Sequence, residues 1–262
     1  FLLVSLVIAR ITMRVLYIAR LGVGLATANR QYLANLDAQL LAFRDKSDLI
    51  IPASRLDLSL AEDIRNVEGI RDAGLIATSN TAILLPGGEV LKVALLGVEP
   101  GRPGSPQVTA GQALMSETSN EVVIDQNVLD RSELKVGDTI TIRSTQGTTD
   151  QTYELEVIGT TEGQSYTYQP AIFVNYATWD TARTKSDAEV GRASQTANVI
   201  AVKLADPEQA ELVSQRLQAQ FENLLVADIP TAIQNVPGYS AQQGTIQTQG
   251  VFTLLIGVLV IG

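Results

Sequence analysis

EVVIDQNVLDRSELKVGDTITI, residues 121–142, is the stretch from which the rest of the chain is read. Glu121–Asp125 is a short run of β-branched residues, which predicts a strand. Gln126–Arg131 comes next as a short helix. Leu134-Lys135-Val136-Gly137-Asp138 makes a turn, and Thr139–Arg143 (TITIR) alternates with the period of a half-buried strand. Tyr153–Thr160 (YELEVIGT) is a further strand, with Gly147 and its Thr and Asp neighbours as the turn before it. Ala171–Asn175 (AIFVN) is another strand, leading into a short helix around Trp179. Residues 100–195 therefore read as a small β-rich lobe. Gly101–Gly111, with Pro103 and Pro106, is the clearest linker, and Thr181–Thr196 is a polar loop.

Outward from this lobe the pattern changes to β-α-β. Asp48–Ala53 (DLIIPA) predicts a strand. Ser59-Leu60-Ala61-Glu62 has the form of a capping box opening a helix that ends near Gly69. Ile70–Leu85 and Val90–Val98 predict two strands around the turn Pro86–Glu89. After the lobe, Asn198–Leu204 predicts a strand, and Asp206-Pro207 an N-cap with a first-turn proline. Ala210, Val213, Leu217 and Phe221 form one helix face, and Leu224–Ala227 returns as a strand. The expected fold class is α+β: a β-α-β layered domain made of residues 48–99 and 196–228, with residues 100–195 inserted as a lobe.

The two ends differ from this body. Arg10, Arg14, Arg20 and Arg30 all precede the first acid, Asp37, and no charged residue comes after Asp228. Phe1–Ala28 is apolar and helix-prone but interrupted by arginines, which suits a first membrane helix, an interfacial helix or a signal peptide; the positive-inside bias favours the first. From there Gly22, Ala26, Asn29, Leu33, Leu36, Leu40 and Phe43 are spaced at alternating four- and three-residue steps. That heptad-like seam predicts a long stalk helix over 1–47 offering Gly22, Ala26, Leu33, Leu36, Leu40 and Phe43 to a neighbour, or an ordinary amphipathic helix on its own domain. Residues 229–262 read as a returning stalk ending in VFTLLIGVLVIG, the start of a second membrane helix cut short, since a span needs about 20 apolar residues.

Composition excludes much chemistry. The 262 residues contain no His and no Cys, which removes disulfides, thiolate nucleophiles, imidazole bases and the usual zinc shells. A net charge of -9 argues against a nucleic-acid partner. Ser132-Glu133-Leu134-Lys135 fits S-x-x-K, but it sits at a turn into a strand with no accompanying S-D-N or K-T-G. Gly22-Val23-Gly24 is part of a dinucleotide fingerprint that neither succeeds a strand nor starts a helix. The carboxylates Asp125, Asp130 and Glu133, and the pair Glu154 and Glu156, lack the spacing of a calcium loop and read as solvated faces. Tyr166, Tyr168, Phe173, Tyr176 and Trp179 read as lobe core, with a partner-binding patch as the sharper alternative. No catalytic residue, cofactor site or metal site is expected.

The run EVVIDQNVLDRSELKVGDTITI, then YELEVIGT, then PAIFVNYATW, resembles the periplasmic core domain of MacB-like and FtsX-like ABC transporter permeases. The stalk and the DLIIPA segment also look like the segment after the first membrane helix in that family. The departure is Phe1–Arg20, where the family has a cleaner apolar helix. The resemblance implies a cell-membrane protein whose main domain is extracytoplasmic. It also implies a cytosolic ABC ATPase subunit as partner, a homodimer or paired permease, and an envelope adaptor protein. The chain itself is not expected to be an enzyme; with no G-x-x-x-x-G-K-[ST], ATP hydrolysis falls to the separate subunit. The function implied is coupling of that ATPase to export or to mechanical work. The competing class is a membrane-tethered extracytoplasmic binding or sensor module without an ATPase.

Overall fold

In a computed structural model the described residues are 30–236, together with Arg10, Met13, Arg14 and Tyr17, which are helical and exposed. The expected mixed α/β body is present, organised around a ten-stranded sheet. In chain order the elements begin with α1 (Gln31–Ala34), β1 (Leu40–Arg44), β2 (Leu56–Asp57), α2 (Leu60–Arg65), β3 (Ile70–Leu84) and β4 (Val90–Val98). Next come β5 (Ala110–Gly111), β6 (Glu121–Asp125), α3 (Gln126–Leu129), β7 (Thr139–Gln146), β8 (Thr149–Thr161), β9 (Ala171–Asn175) and α4 (Tyr176–Ala182). The last are β10 (Thr196–Ala197), β11 (Val199–Leu204), α5 (Ala210–Gln220), β12 (Leu224–Asp228) and α6 (Ile229–Gln234).

Strand order in the large sheet is β12-β1-β11-β3-β4-β9-β6-β8-β5, with β7 pairing both β3 and β8. Tracing β3, β4, β9, β6, β8 and β7 back to β3 closes a circuit, so six strands form a barrel. Its interior is filled by inward-facing apolar residues such as Ile83, Val93, Val122, Ile142, Val157 and Ile172, all fully buried. Of the other strands, the short β5 pairs β8, and β12, β1 and β11 extend the sheet from the first half of β3. There Ile70–Ile76 pairs β11, whereas Ile76–Leu84 pairs β4.

Most central strands are apolar at every position because both faces are covered. In β1, Leu40 and Ala42 face the layer of α2 and α5, where Ala61, Ile64, Val213 and Leu217 are buried. Leu41 and Phe43 face the opposite layer, with Tyr32, Leu33, Ala232 and Ile233 from α1 and α6. Three strands hand over directly to helices through their last residue. The side chains of Asp125, Asn175 and Asp228 each accept a bond from an amide in the first turn of α3, α4 and α6.

Several expectations are corrected. The stalk helix does not run to residue 47: α1 ends at Ala34 and Leu40–Arg44 is a central strand. Leu33, Leu40 and Phe43 are therefore domain core and Leu36 is half-buried against it, while Gly22 and Ala26 lie outside the described residues. A continuous apolar run, LLAF, has no polar face to present to water and is satisfied by a two-sided sheet. DLIIPA is not a strand, because Lys46, Asp48 and Leu49 have positive φ and Ile51–Ala53 is a single 3₁₀ turn. Ser59 itself is in the right-handed helical region (φ -61, ψ -27), its hydroxyl caps nothing, and Glu62 pairs with Arg65 instead.

The lobe boundary near residue 99 also dissolves, since β3 and β4 supply two barrel walls. The expected linker is docked: Pro103 and Gly104 are buried, and a Cβ on Gly74 would lie 2.1 Å from the Pro103 carbonyl oxygen. The runs Phe1–Ala28 and Val251–Gly262, the four placed residues apart, fall outside the described residues. Among the described residues no helix is long and apolar enough to cross a membrane.

Helix α4 closes over β4 through Trp179, whose Cβ would stand 2.4 Å from a Cβ added at Gly97. Gly97→Ala is therefore expected to lower stability by about 1–3 kcal/mol, read from the urea midpoint at unchanged m-value.

Candidate functional site

The chemistry-bearing candidates do not assemble. Ser132 donates its hydroxyl to the Val128 carbonyl (2.7 Å) and closes α3, while the Lys135 amide donates to the Asp138 carboxylate (2.7 Å). The S-x-x-K match is thus a helix-to-strand connection. Asp125 is buried beneath α3, apart from the exposed Asp130 and Glu133, and no group of acids among the described residues could hold a metal ion. Of the aromatics, Tyr166, Phe173 and Trp179 are core, Tyr176 is half-buried, and Tyr168 is 40% exposed.

The fold does assemble a junction where the first and last described segments meet the barrel. Helix α1 lies against α6, and Tyr32 and Leu33 share a buried cluster with Ala232, Ile233 and Val236. This places the leading and returning segments on the same face of the sheet. The α1 segment is also bonded to the β8–β9 connection. The Tyr32 amide donates to the Ser165 carbonyl (3.2 Å), and Asn35 Nδ2 donates to the Gly163 carbonyl (2.7 Å). The Tyr32 hydroxyl donates to the buried Gly104 carbonyl (2.9 Å). Its ring meets Tyr166 edge-on (6.3 Å between centroids, 79°) and lies tilted against Phe173 at 5.5 Å.

Behind this connection sits a buried carboxylate. Asp125 accepts from the Asn127 amide (3.3 Å), from Asn127 Nδ2 (3.1 Å to Oδ2) and from Ser165 Oγ (3.4 Å). Burial raises its pKa from the ordinary aspartate value, and the bonds from Asn127, Gln164 and Ser165 oppose that rise. Burial likewise pushes the Tyr32 and Tyr166 hydroxyls well above the usual tyrosine range, so both are neutral at every physiological pH. Backbone at residue 165, the hydroxyl of Ser165 and the Asp125 cap of α3 thus form one chain of contacts from α1 into the barrel.

The sequence reading of residues 1–47 as a stalk did not single out Tyr32 and missed its part here. The available signal was the four-residue apolar run Leu40–Phe43, which cannot stay on one helix face and so argues against a continuous helix through Tyr32.

The model of the MacB-like periplasmic core domain matches residues 2–220, and the chain belongs to that family. It is thus the periplasmic core domain of a MacB-like ABC transporter permease, an extracytoplasmic domain of a membrane protein. The fold is similar to the periplasmic region of MacB from Actinobacillus actinomycetemcomitans, at 15% identity and a TM-score of 0.52, covering 79% of this chain and 94% of that one. It is also similar to the extracellular domain of the noncanonic ABC-type transporter YknZ from Gram-positive bacteria, at 14% identity and a TM-score of 0.51, covering 72% of this chain and 99% of that one. No curated protein matches.

Tyr32→Phe leaves the buried Gly104 carbonyl without its donor and is expected to cost about 1–2 kcal/mol in equilibrium unfolding. A second test concerns Asp125. Because its pKa is raised in the folded state, folded protein binds that proton more tightly than the unfolded chain. Its contribution is fully present below the ordinary aspartate value and is lost as pH rises through the raised one. The stability of wild type relative to Asp125→Asn should therefore increase as pH falls through that window, measured as paired urea midpoints across an acid titration.

Proposed function

We propose that this domain couples a cytosolic ABC ATPase subunit to export, or to mechanical work on an envelope partner, outside the membrane. The observation that carries the reading is the junction. The leading and returning segments pack side by side as α1 and α6, and the leading one is bonded to the barrel at Tyr32 and Asn35. Displacement of the α1 segment would reach the β8–β9 connection without crossing a free loop. The chain has no phosphate-binding loop, so ATP acts through a partner subunit, and catalysis is assigned elsewhere. Pairing of two such permease subunits and an adaptor in the envelope belong to the same proposal.

The test uses the complete permease with its ATPase in lipid vesicles. Tyr32→Phe combined with Asn35→Ala is expected to preserve basal ATP hydrolysis while reducing the extracytoplasmic work done per ATP. Unchanged coupling in a folded double variant would remove the junction from the mechanism. Function in vesicles lacking any ATPase would favour the tethered binding module instead.

A further inference from the structure

Strand β8 is paired along only part of its length on one side. It pairs β7 from Thr149 to Glu156, but β6 joins its other side only from Glu156 onward. The Glu156 amide donates to the Asn120 carbonyl (2.9 Å), which fixes the parity of the strand. Thr152 and Glu154, at steps of two, therefore turn their backbone N–H and C=O groups away from β7. Among the described residues neither has a partner for these groups.

The gap has a structural cause. β6 does not extend further back, because the Ser119 carbonyl is drawn to the start of α4, accepting from Asn175 Nδ2 (2.6 Å) and Thr178 Oγ1 (2.8 Å). The result is a groove of about 410 Å³ between the β8 edge and α4, where the exposed, small Ala177 and Thr181 form the far wall.

We propose that this groove binds an extended, basic peptide segment of a partner protein by strand addition to β8. A segment lying in line with β6 would bond the Thr152 and Glu154 backbone groups, which are about 7 Å apart, while its alternate side chains face outward. The charge selects the occupant. Glu154 and Glu156 project outward from β8, and Glu121 stands directly beside Glu156 on β6. No ion pair joins these three carboxylates to a cation among the described residues. Arg143, opposite Thr152 on β7, is engaged 3.8 Å from Asp150. Like charges on adjacent strands disfavour each other, and lysine or arginine side chains of an added strand relieve that repulsion. A second copy of the same edge would bring further glutamates and is disfavoured for the same reason.

The test titrates the full chain with a fluorescent peptide of alternating valine and lysine, and needs no ATPase, so its result is independent of the coupling proposed above. Saturable binding of one peptide per chain is expected. Glu154→Lys with Glu156→Lys should weaken it at least about tenfold. Thr181→Trp, which fills the groove from the exposed face of α4 and leaves β8 untouched, should abolish it, as should N-methylation of the peptide backbone. Circular dichroism of each variant checks folding, and the Thr181→Trp and N-methyl arms decide the matter if the glutamate variant misfolds. Absence of saturable binding would overturn the proposal. So would equal binding of the N-methylated peptide or of a valine–glutamate peptide, or binding unaffected by Thr181→Trp.

Discussion

The β3–β4 hairpin is the constraint on which the rest of the molecule depends. The first half of β3 is a strand of the layered sheet, and its second half is a wall of the barrel. Backbone bonds within one continuous strand hold both parts to a common frame. Ile76 marks the changeover, pairing with β11 on one side and with β4 on the other. The two lobes therefore share a core instead of meeting across an interface. Motion of one relative to the other would need to break ladder bonds, which makes the domain a stiff body and not a hinged one.

The α1 junction ties the leading segment to this body. Four residues of helix are far too short to be stable alone, and α1 exists because Tyr32 and Leu33 are buried under it. Its hydrogen bonds reach loops and not strands: Gly104 ahead of β5, and Gly163 and Ser165 between β8 and β9. The strands stay free to complete the barrel, while the loops take up the attachment. A polar network also ties the outer helix to the same frame. Arg65 of α2 bonds Glu99 beyond β4 (2.5 Å), and Glu99 accepts from the Leu75 amide of β3 (2.8 Å).

The sequence was most legible where local chemistry repeats. Each of EVVID, AIFVN and LLVAD is a strand ending in Asp or Asn, and each hands over to a helix capped by that same residue. Strand formation and capping are satisfied within a few residues, so no distant contact is needed to choose between them. The same holds for Asp206-Pro207, where the aspartate accepts from the Glu208 amide (3.0 Å) ahead of α5. Where reading failed, the cause was a distant partner. The heptad spacing through Leu33, Leu36, Leu40 and Phe43 is genuine arithmetic, but Leu40–Phe43 finds β11 and β12 on either side of it, about 160 to 190 residues later in the chain. Pairing on both edges outweighs the helical preference of LLAF.

By itself the sequence determined most of the longer strands from Ile70 onward, their order along the chain, the turns between them, and the absence of any imidazole or thiol chemistry. It also carried the family likeness, because that likeness resides in the order of local elements. Only the tertiary structure decided that the β-rich segment closes into a barrel on borrowed strands, that Leu33, Leu40 and Phe43 of the supposed stalk are core, and that Tyr32 joins the leading segment to the lobe. It alone decided, too, that β8 keeps an unpaired edge beside α4. The physical reason is the same throughout. Periodicity and capping are settled by interactions a few residues long, whereas closure, pairing register and unpaired edges depend on which distant backbone arrives to satisfy each N–H and C=O.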